Sequence, residues 1–233
     1  MRIIFICIIS IFCFSCSQKH ERQKQLKKMR HNIKSLALTI EGWCTKEKAL
    51  ALFDVTIKYK PIICVEIGVY GGNSLFPIAM GLKYLNQGIV YAIDSWSNDD
   101  STQHLSYGGV NYEWWKDQDL NAIYKYFLML LKTLELEHQT IILKKNSEQA
   151  AQELPPIDML HIDGNMSEES VYFDLITYFP KVKQNGLIWL NNAKWTTSRK
   201  AFFFLMNNCS VVKSVDNGNC VLFKKDKISS SDS

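Results

Sequence analysis

Outside one apolar stretch the chain contains no C-x-x-C pair, which excludes the commonest cysteine-ligated zinc frameworks. It also lacks the G-x-G-x-x-G fingerprint of dinucleotide-binding domains. Charge of one sign is scarce. The net charge over 233 residues is +4. Lys19, Arg22, Lys24, Lys27, Lys28 and Arg30, opposed there only by Glu21, account for that excess. The remainder is close to neutral, so nothing supports a nucleic-acid surface. The apolar run over 3–16 (IIFICIISIFCFSC) falls short of the roughly 20 residues of a full membrane span. Of the seven cysteines, Cys64 and Cys220 fall in expected buried strands, where a thiol acts as a small hydrophobe. A reduced, disulfide-free domain is expected.

What is present centres on residues 62–74, IICVEIGVYGGNS. The apolar run Ile62 to Val65 suits a buried parallel strand. It ends at Glu66, and Gly68, Gly71 and Gly72 follow. The glycines allow a sharp turn and let a ligand approach bare backbone. Ser74 onward, LFPIAMGLKYL, reads as a helix, with Asn73 a plausible cap. Strand, glycine turn and helix together form a common nucleotide-holding unit. The next strand, Ile89 to Ile93, ends in Asp94, whose two carboxylate oxygens are placed to accept hydrogen bonds from two ribose hydroxyls.

Upstream, apolar Leu50, Phe53 and Ile57 recur at helical spacing, so residues 41–59 are expected to form a helix covering the first strand. Trp43 either packs beneath that helix or borders the pocket. Residues 95–119 are polar and aromatic with no clean period. A stretch this long is usually functional, and a lid over the substrate site is expected. A strongly apolar helix follows over 120–136. Further strands are expected over 139–143, 158–163 and 186–192, with helices over 167–179 and 196–207. Two closing strands, 211–215 and 219–224, flank Asp216-Asn217-Gly218, a strong hairpin signal. This alternation implies an α/β fold: a doubly wound, mostly parallel seven-stranded sheet with an antiparallel last strand. Such sheets bind ligands at the carboxyl ends of their strands. Glu66, Asp94, Asp163 and Asn191-Asn192 all fall there.

The pattern Glu66-x-Gly68-x-x-Gly71-Gly72 with Asp94 resembles motif I of the class I S-adenosyl-L-methionine (SAM) methyltransferases. Residues 158–192, DMLHIDGNMSEESVYFDLITYFPKVKQNGLIWLNN, resemble the subgroup of macrocin and small-molecule O-methyltransferases. The resemblance implies a Rossmann-like methyltransferase domain over 41–226. It implies a SAM-dependent transfer to a small-molecule acceptor, in keeping with O-methylation. It further implies SAM contacts from Glu66, Gly68, Tyr70, Gly71, Gly72, Ser74, Asp94, Ser95, Ser147 and Asp163, with Asp163 also as catalytic base or acceptor-orienting group. Metal-using relatives place carboxylates where this chain has Asp163, Asn191 and Asn192, and a histidine where it has Met166. One carboxylate and two amides make a weak magnesium site, so no tight Mg2+ is expected. A non-catalytic SAM-binding protein is the alternative. His161 reads as a core residue.

The termini carry separate expectations. Residues 1–18 read as a signal or membrane anchor, 19–40 as a basic linker or helix, and 227–233 as a disordered tail. Basic residues after the apolar run favour a membrane-associated domain facing the cytoplasm. Ser15-Cys16 offers the alternative of an exported lipoprotein. No sequence feature sets an oligomeric state.

Overall fold

The computed structural model describes residues 2–226, with side chains from His20 onward. The expected anchor over 1–18 falls where side chains are not described, and the tail over 227–233 lies outside the described residues. Among the described residues no helix is long and apolar enough to cross a membrane.

Five parallel strands form the sheet's main body: β1 (Ile63–Ile67), β2 (Ile89–Ile93), β3 (Thr140–Leu143), β4 (Ile157–Ile162) and β5 (Val182–Leu190). A hairpin of β6 (Cys209–Val215) and β7 (Cys220–Lys225) completes it. The spatial order is β3-β2-β1-β4-β5-β7-β6, and β7 runs antiparallel to both of its neighbours. The seven-stranded, mostly parallel sheet expected from the sequence is therefore present. The turn at Asp216-Asn217-Gly218 takes positive φ at all three residues, as its composition predicts.

The chain moves outward from β1 to β3, then returns to the other side of β1 as β4. That reversal opens a crevice between the carboxyl ends of β1 and β4. Register fixes what faces it. Glu66 pairs with His161 across β1 and β4, and His161 pairs with Trp189 across β4 and β5. At the opposite rim Asp158 fastens the strand starts, accepting from Ile62 N and Ile63 N at 3.0 and 2.8 Å.

Helices cover both faces. The face carrying Cys64, Met159, Leu187 and Trp189 packs on α1 (Arg2–Thr39), α2 (Lys46–Tyr59) and α3 (Leu75–Leu85). The other face, with Val65, Leu160 and Ile188, packs on α8 (Glu168–Tyr178) and α9 (Arg199–Asn208). Side chains such as Phe53, Phe76 and Leu175 are fully buried, each worth about 1.5–3 kcal/mol relative to exposure. The helix expected over 41–59 starts later, at Lys46. Thr45 is its cap, its side chain accepting from Lys48 N, and residues 41–44 form a loop instead. The basic segment takes the helical form of its two expected ones, within α1, and Ile33 is buried while Leu26, Met29 and Leu36 pack on the same core.

Asn73 does not cap α3. Ser74 holds the cap position without a side-chain bond, and Asn73 Nδ2 donates instead to Ile40 O at 3.1 Å. The segment after Asp94 folds into short helices α4 (Asn98–Thr102) and α5 (Val110–Lys116), ahead of α6 (Leu120–Thr133) and, beyond β3, α7 (Ser147–Ala151).

Candidate functional site

A cavity of about 1360 Å³ opens at the rim where β1 to β5 end. Its wall takes Gly68 and Tyr70 from the loop after β1, Asp94 and Ser95 from β2, Ser147 after β3, Asp163 after β4, and Asn191 and Asn192 after β5. Gly71 and Ser74 also line it. Residues distant in sequence thus share one rim because parallel strands end together.

Two expected contact residues do not reach the cavity. Glu66 is fully buried behind the wall, where its Oε1 accepts from Ser74 Oγ at 2.6 Å. Burial raises its carboxyl to about 8, which favours the neutral acid. Gly72 faces inward; a Cβ there would meet the rings of Phe76 and Phe127 at 2.7–2.8 Å. The case for Gly68 also changes. It has φ +82°, and a Cβ would lie 2.3 Å from Asp163 O. Its bare Cα admits the turn leaving β4 rather than a ligand alone.

Asp94 shapes the glycine loop directly. Its Oδ2 accepts from Val69 N and Tyr70 N, both at 2.9 Å. Its Oδ1 accepts from Trp96 N at 2.7 Å. Oδ2 then takes two donors, and Oδ1 keeps one acceptor site unassigned, in a residue that lines the cavity.

Asp163 is clamped from both sides. Lys48 Nζ donates to Oδ2 at 2.6 Å, and Asn191 Nδ2 donates to Oδ1. Lys48 is 1% exposed. Asp163 raises its pKa well above the usual lysine value despite the burial penalty, so the ammonium stays charged. His161 is a core residue, as its position in the strand suggested. Its Nδ1 lies 3.2 Å from Glu66 Oε2, yet alignment is too poor for a hydrogen bond. Burial, then the Lys48 charge, pull its pKa down to about 3, so the imidazole is neutral.

The outer wall is aromatic. Trp43 is 64% exposed and meets Tyr70, Trp114 and Trp115 with ring centroids 5.8, 4.9 and 5.9 Å away. The packed position beneath α2 is thereby corrected: residues 41–44 stay outside the helix, which leaves the indole at the rim. Asn165, just past β4, ties the lid down by donating to Ser101 O and Gln103 O at 3.2 and 2.7 Å. Asn98 Nδ2 donates to Trp115 O and Gln118 O at 2.8 and 3.0 Å, closing the lid on itself. Lys48, Asn165 and the unpartnered Asn73 Oδ1 were not anticipated from the sequence. Among the described residues, no three His, Cys, Asp or Glu side chains gather as a cation site.

Residues 65–193, more than half of the chain, match the family described as a methyltransferase domain. The chain belongs to that family. Solved structures share its fold. A Staphylococcus aureus protein assigned as a caffeoyl-CoA O-methyltransferase superposes with TM-score 0.60 at 12% identity, covering 89% of this chain and 99% of that one. The Bacillus cereus O-methyltransferase in complex with SAH gives 0.59 at 12%, covering 86% and 91%. The O-methyltransferase TomG of Streptomyces achromogenes, in complex with SAM, gives 0.56 at 13%, covering 77% and 80%. At these identities the likeness is one of fold. No curated protein matches the chain in sequence.

Proposed function

We propose that the cavity binds SAM and that the protein transfers the SAM methyl group to a hydroxyl of a small acceptor. One observation carries this reading: the glycine loop, Asp94 and the clamped Asp163 converge on one rim at the β1/β4 crevice. In that arrangement Asp94 Oδ1 has one acceptor site left for a ribose hydroxyl. The loop amides Val69 N and Tyr70 N are held by Asp94, so the loop is preorganised before ligand arrives. Ser95 and Ser147 add polar atoms along the nucleoside side of the wall.

The chemistry needs little beyond placement, because the sulfonium already activates the methyl group. An acceptor oxygen attacks the methyl carbon in line. The S–C bond breaks, its electron pair stays on sulfur, and S-adenosylhomocysteine (SAH) leaves. Asp163 lines the cavity with one acceptor site unassigned on each oxygen, enough to orient the acceptor hydroxyl and take its proton. The wall chemistry favours a positively charged cofactor. Glu41, Asp94, Asp99, Asp163, Glu169 and Asp216 line it, against Lys145 and His104. The same field disfavours acceptors bearing phosphates, such as acyl-CoA esters.

A second reading, SAM binding without turnover, has its own support: Asp163 is the lone carboxylate where metal-using relatives would carry several. Incubating the protein with labelled SAM and small-molecule extracts separates the two. Label in a new product, with SAH released, supports transfer; SAM binding with no labelled product in any extract supports the second reading. The apolar stretch at 1–18 and the basic residues after it support membrane association facing the cytoplasm, with export as a lipoprotein the alternative. Cell fractionation combined with lipid labelling at Cys16 distinguishes them.

A further inference from the structure

The carboxylate that metal-using relatives would offer to a cation is already paired with a cation of this chain. Lys48 enters from the first turn of α2, on the sheet face that carries Glu66 and His161. It crosses behind the cavity wall and ends 2.6 Å from Asp163 Oδ2. A lysine is almost never fully buried unless paired, and stripping water from two ions costs several kcal/mol per ion. The pair is a poor choice for stability alone. The remaining donors complete the blockade. Asn191 turns its NH2 toward Asp163, the only orientation that avoids setting amide oxygen against carboxylate. Asn192 Oδ1 already accepts from Asn219 Nδ2 at 3.1 Å. A hard divalent cation seeks about six oxygen ligands; here it would meet an ammonium, an amide NH2 and an amide oxygen already in use. The residues present do not fit such a metal.

We propose that Lys48 is the resident cation of this site: its ammonium stands in place of a divalent metal, holding Asp163 in one orientation toward the acceptor. Lys48 acts through Asp163 and touches neither ligand, so it is a positioning residue. The charge is covalently attached and cannot be chelated away. It leaves one lone pair on each Asp163 oxygen for the acceptor hydroxyl. Amides rather than carboxylates at positions 191 and 192 fit this arrangement: beside a fixed ammonium, further carboxylates would have no metal to hold.

This proposal rests on the methyl-transfer reading for its account of the acceptor, so the test carries a separate readout for each. Manganese is the probe for the cation site, followed by electron paramagnetic resonance on the full chain. SAH titration by calorimetry reports the nucleoside site independently. The unaltered protein is expected to show no manganese binding that depends on Asp163, and to bind SAH equally with and without EDTA. Lys48→Met combined with Asn191→Asp is expected to gain at least tenfold in manganese affinity, and adding Asp163→Asn should abolish the gain. Lys48→Gln, which keeps a donor for Asp163 but no charge, takes the place of Lys48→Met if circular dichroism shows the latter unfolded. Manganese binding by the unaltered protein that vanishes in Asp163→Asn overturns the proposal. So does a folded Lys48 and Asn191 double variant with no gain. If neither variant folds, the unaltered protein decides alone: Asp163-dependent manganese binding overturns the proposal, and its absence with EDTA-insensitive SAH binding upholds it. Failure to bind SAH sinks the methyl-transfer reading and leaves the manganese result to judge Lys48.

Discussion

Asp94 shows how one side chain can set a loop and still line the cavity. Its three backbone hydrogen bonds hold Val69, Tyr70 and Trp96, two of which, Tyr70 and Trp96, have positive φ. Bonds from neutral donors to a charged acceptor are worth about 1.5–3 kcal/mol each. Asp94→Ala is therefore expected to lower the melting temperature markedly and to weaken SAH binding more than tenfold, measured by thermal unfolding and calorimetry. Glu66 makes a different prediction. Its carboxyl is raised from 4.5 to about 8 by burial, so between those values the folded state holds a proton that the unfolded state has lost. Stability from this group is complete below about pH 4.5 and declines as pH rises toward 8. His161, depressed from 6.5 to about 3, works in the opposite direction, but only below pH 6.5. Asp174, raised by burial to about 7, adds to the same slope up to that pH, so the Glu66 proton stands alone between about pH 7 and 8, where stability should fall by up to about 1.4 kcal/mol per pH unit. Glu66→Gln, which keeps an acceptor for Ser74, should flatten that slope. An unchanged slope in the variant would mean the proton sits elsewhere.

At the scale of elements, the strands and most helices were legible because burial imposes period. β1, β2 and β4 are short apolar runs ending in acidic residues, and the Asp216-Asn217-Gly218 turn carries its own backbone demand. What stayed hidden was non-local. The glycine loop signalled a turn, yet the sequence could not show that the β4 exit presses on Gly68. Gly68→Ala is expected to leave the protein insoluble or unfolded, because a Cβ would overlap backbone rather than a movable side chain. Nothing in residue type set Lys48 apart from the other lysines of α2. The available signal was its place with Leu52 and Val55, four and seven residues on, along the buried face of α2. Of the two positions open to Trp43, the rim is the one it takes, because the helix starts at Lys46 rather than Glu41; Thr45 is the cap that marks it. In the lid, the aromatic content correctly argued for order, but the Asn165 anchor joins segments about sixty residues apart. Asn165→Ala is expected to leave the core melting transition within about 1 kcal/mol. It should still speed protease cleavage within 99–109 severalfold, as followed by mass spectrometry.

At the scale of the whole molecule, a chain with net charge +4 turns an acid-rich cavity toward its ligand. The whole of the surplus positive charge lies in the segment 19–30, along α1 and outside the cavity wall. That separation of charge has a measurable consequence. SAM carries one more positive charge than SAH, so its affinity should fall more steeply with salt, because screening weakens the attraction it alone enjoys. Equal salt slopes for the two ligands would show that the cavity field plays no part. The affinity predictions for SAM and SAH require the nucleoside to occupy the rim where β1 and β2 end. Calorimetric titration of the full chain with SAH, repeated on Asp94→Ala, tests this most directly. One-to-one binding that weakens at least tenfold in the variant is the predicted result; no binding to the unaltered protein, or binding indifferent to Asp94, would contradict it.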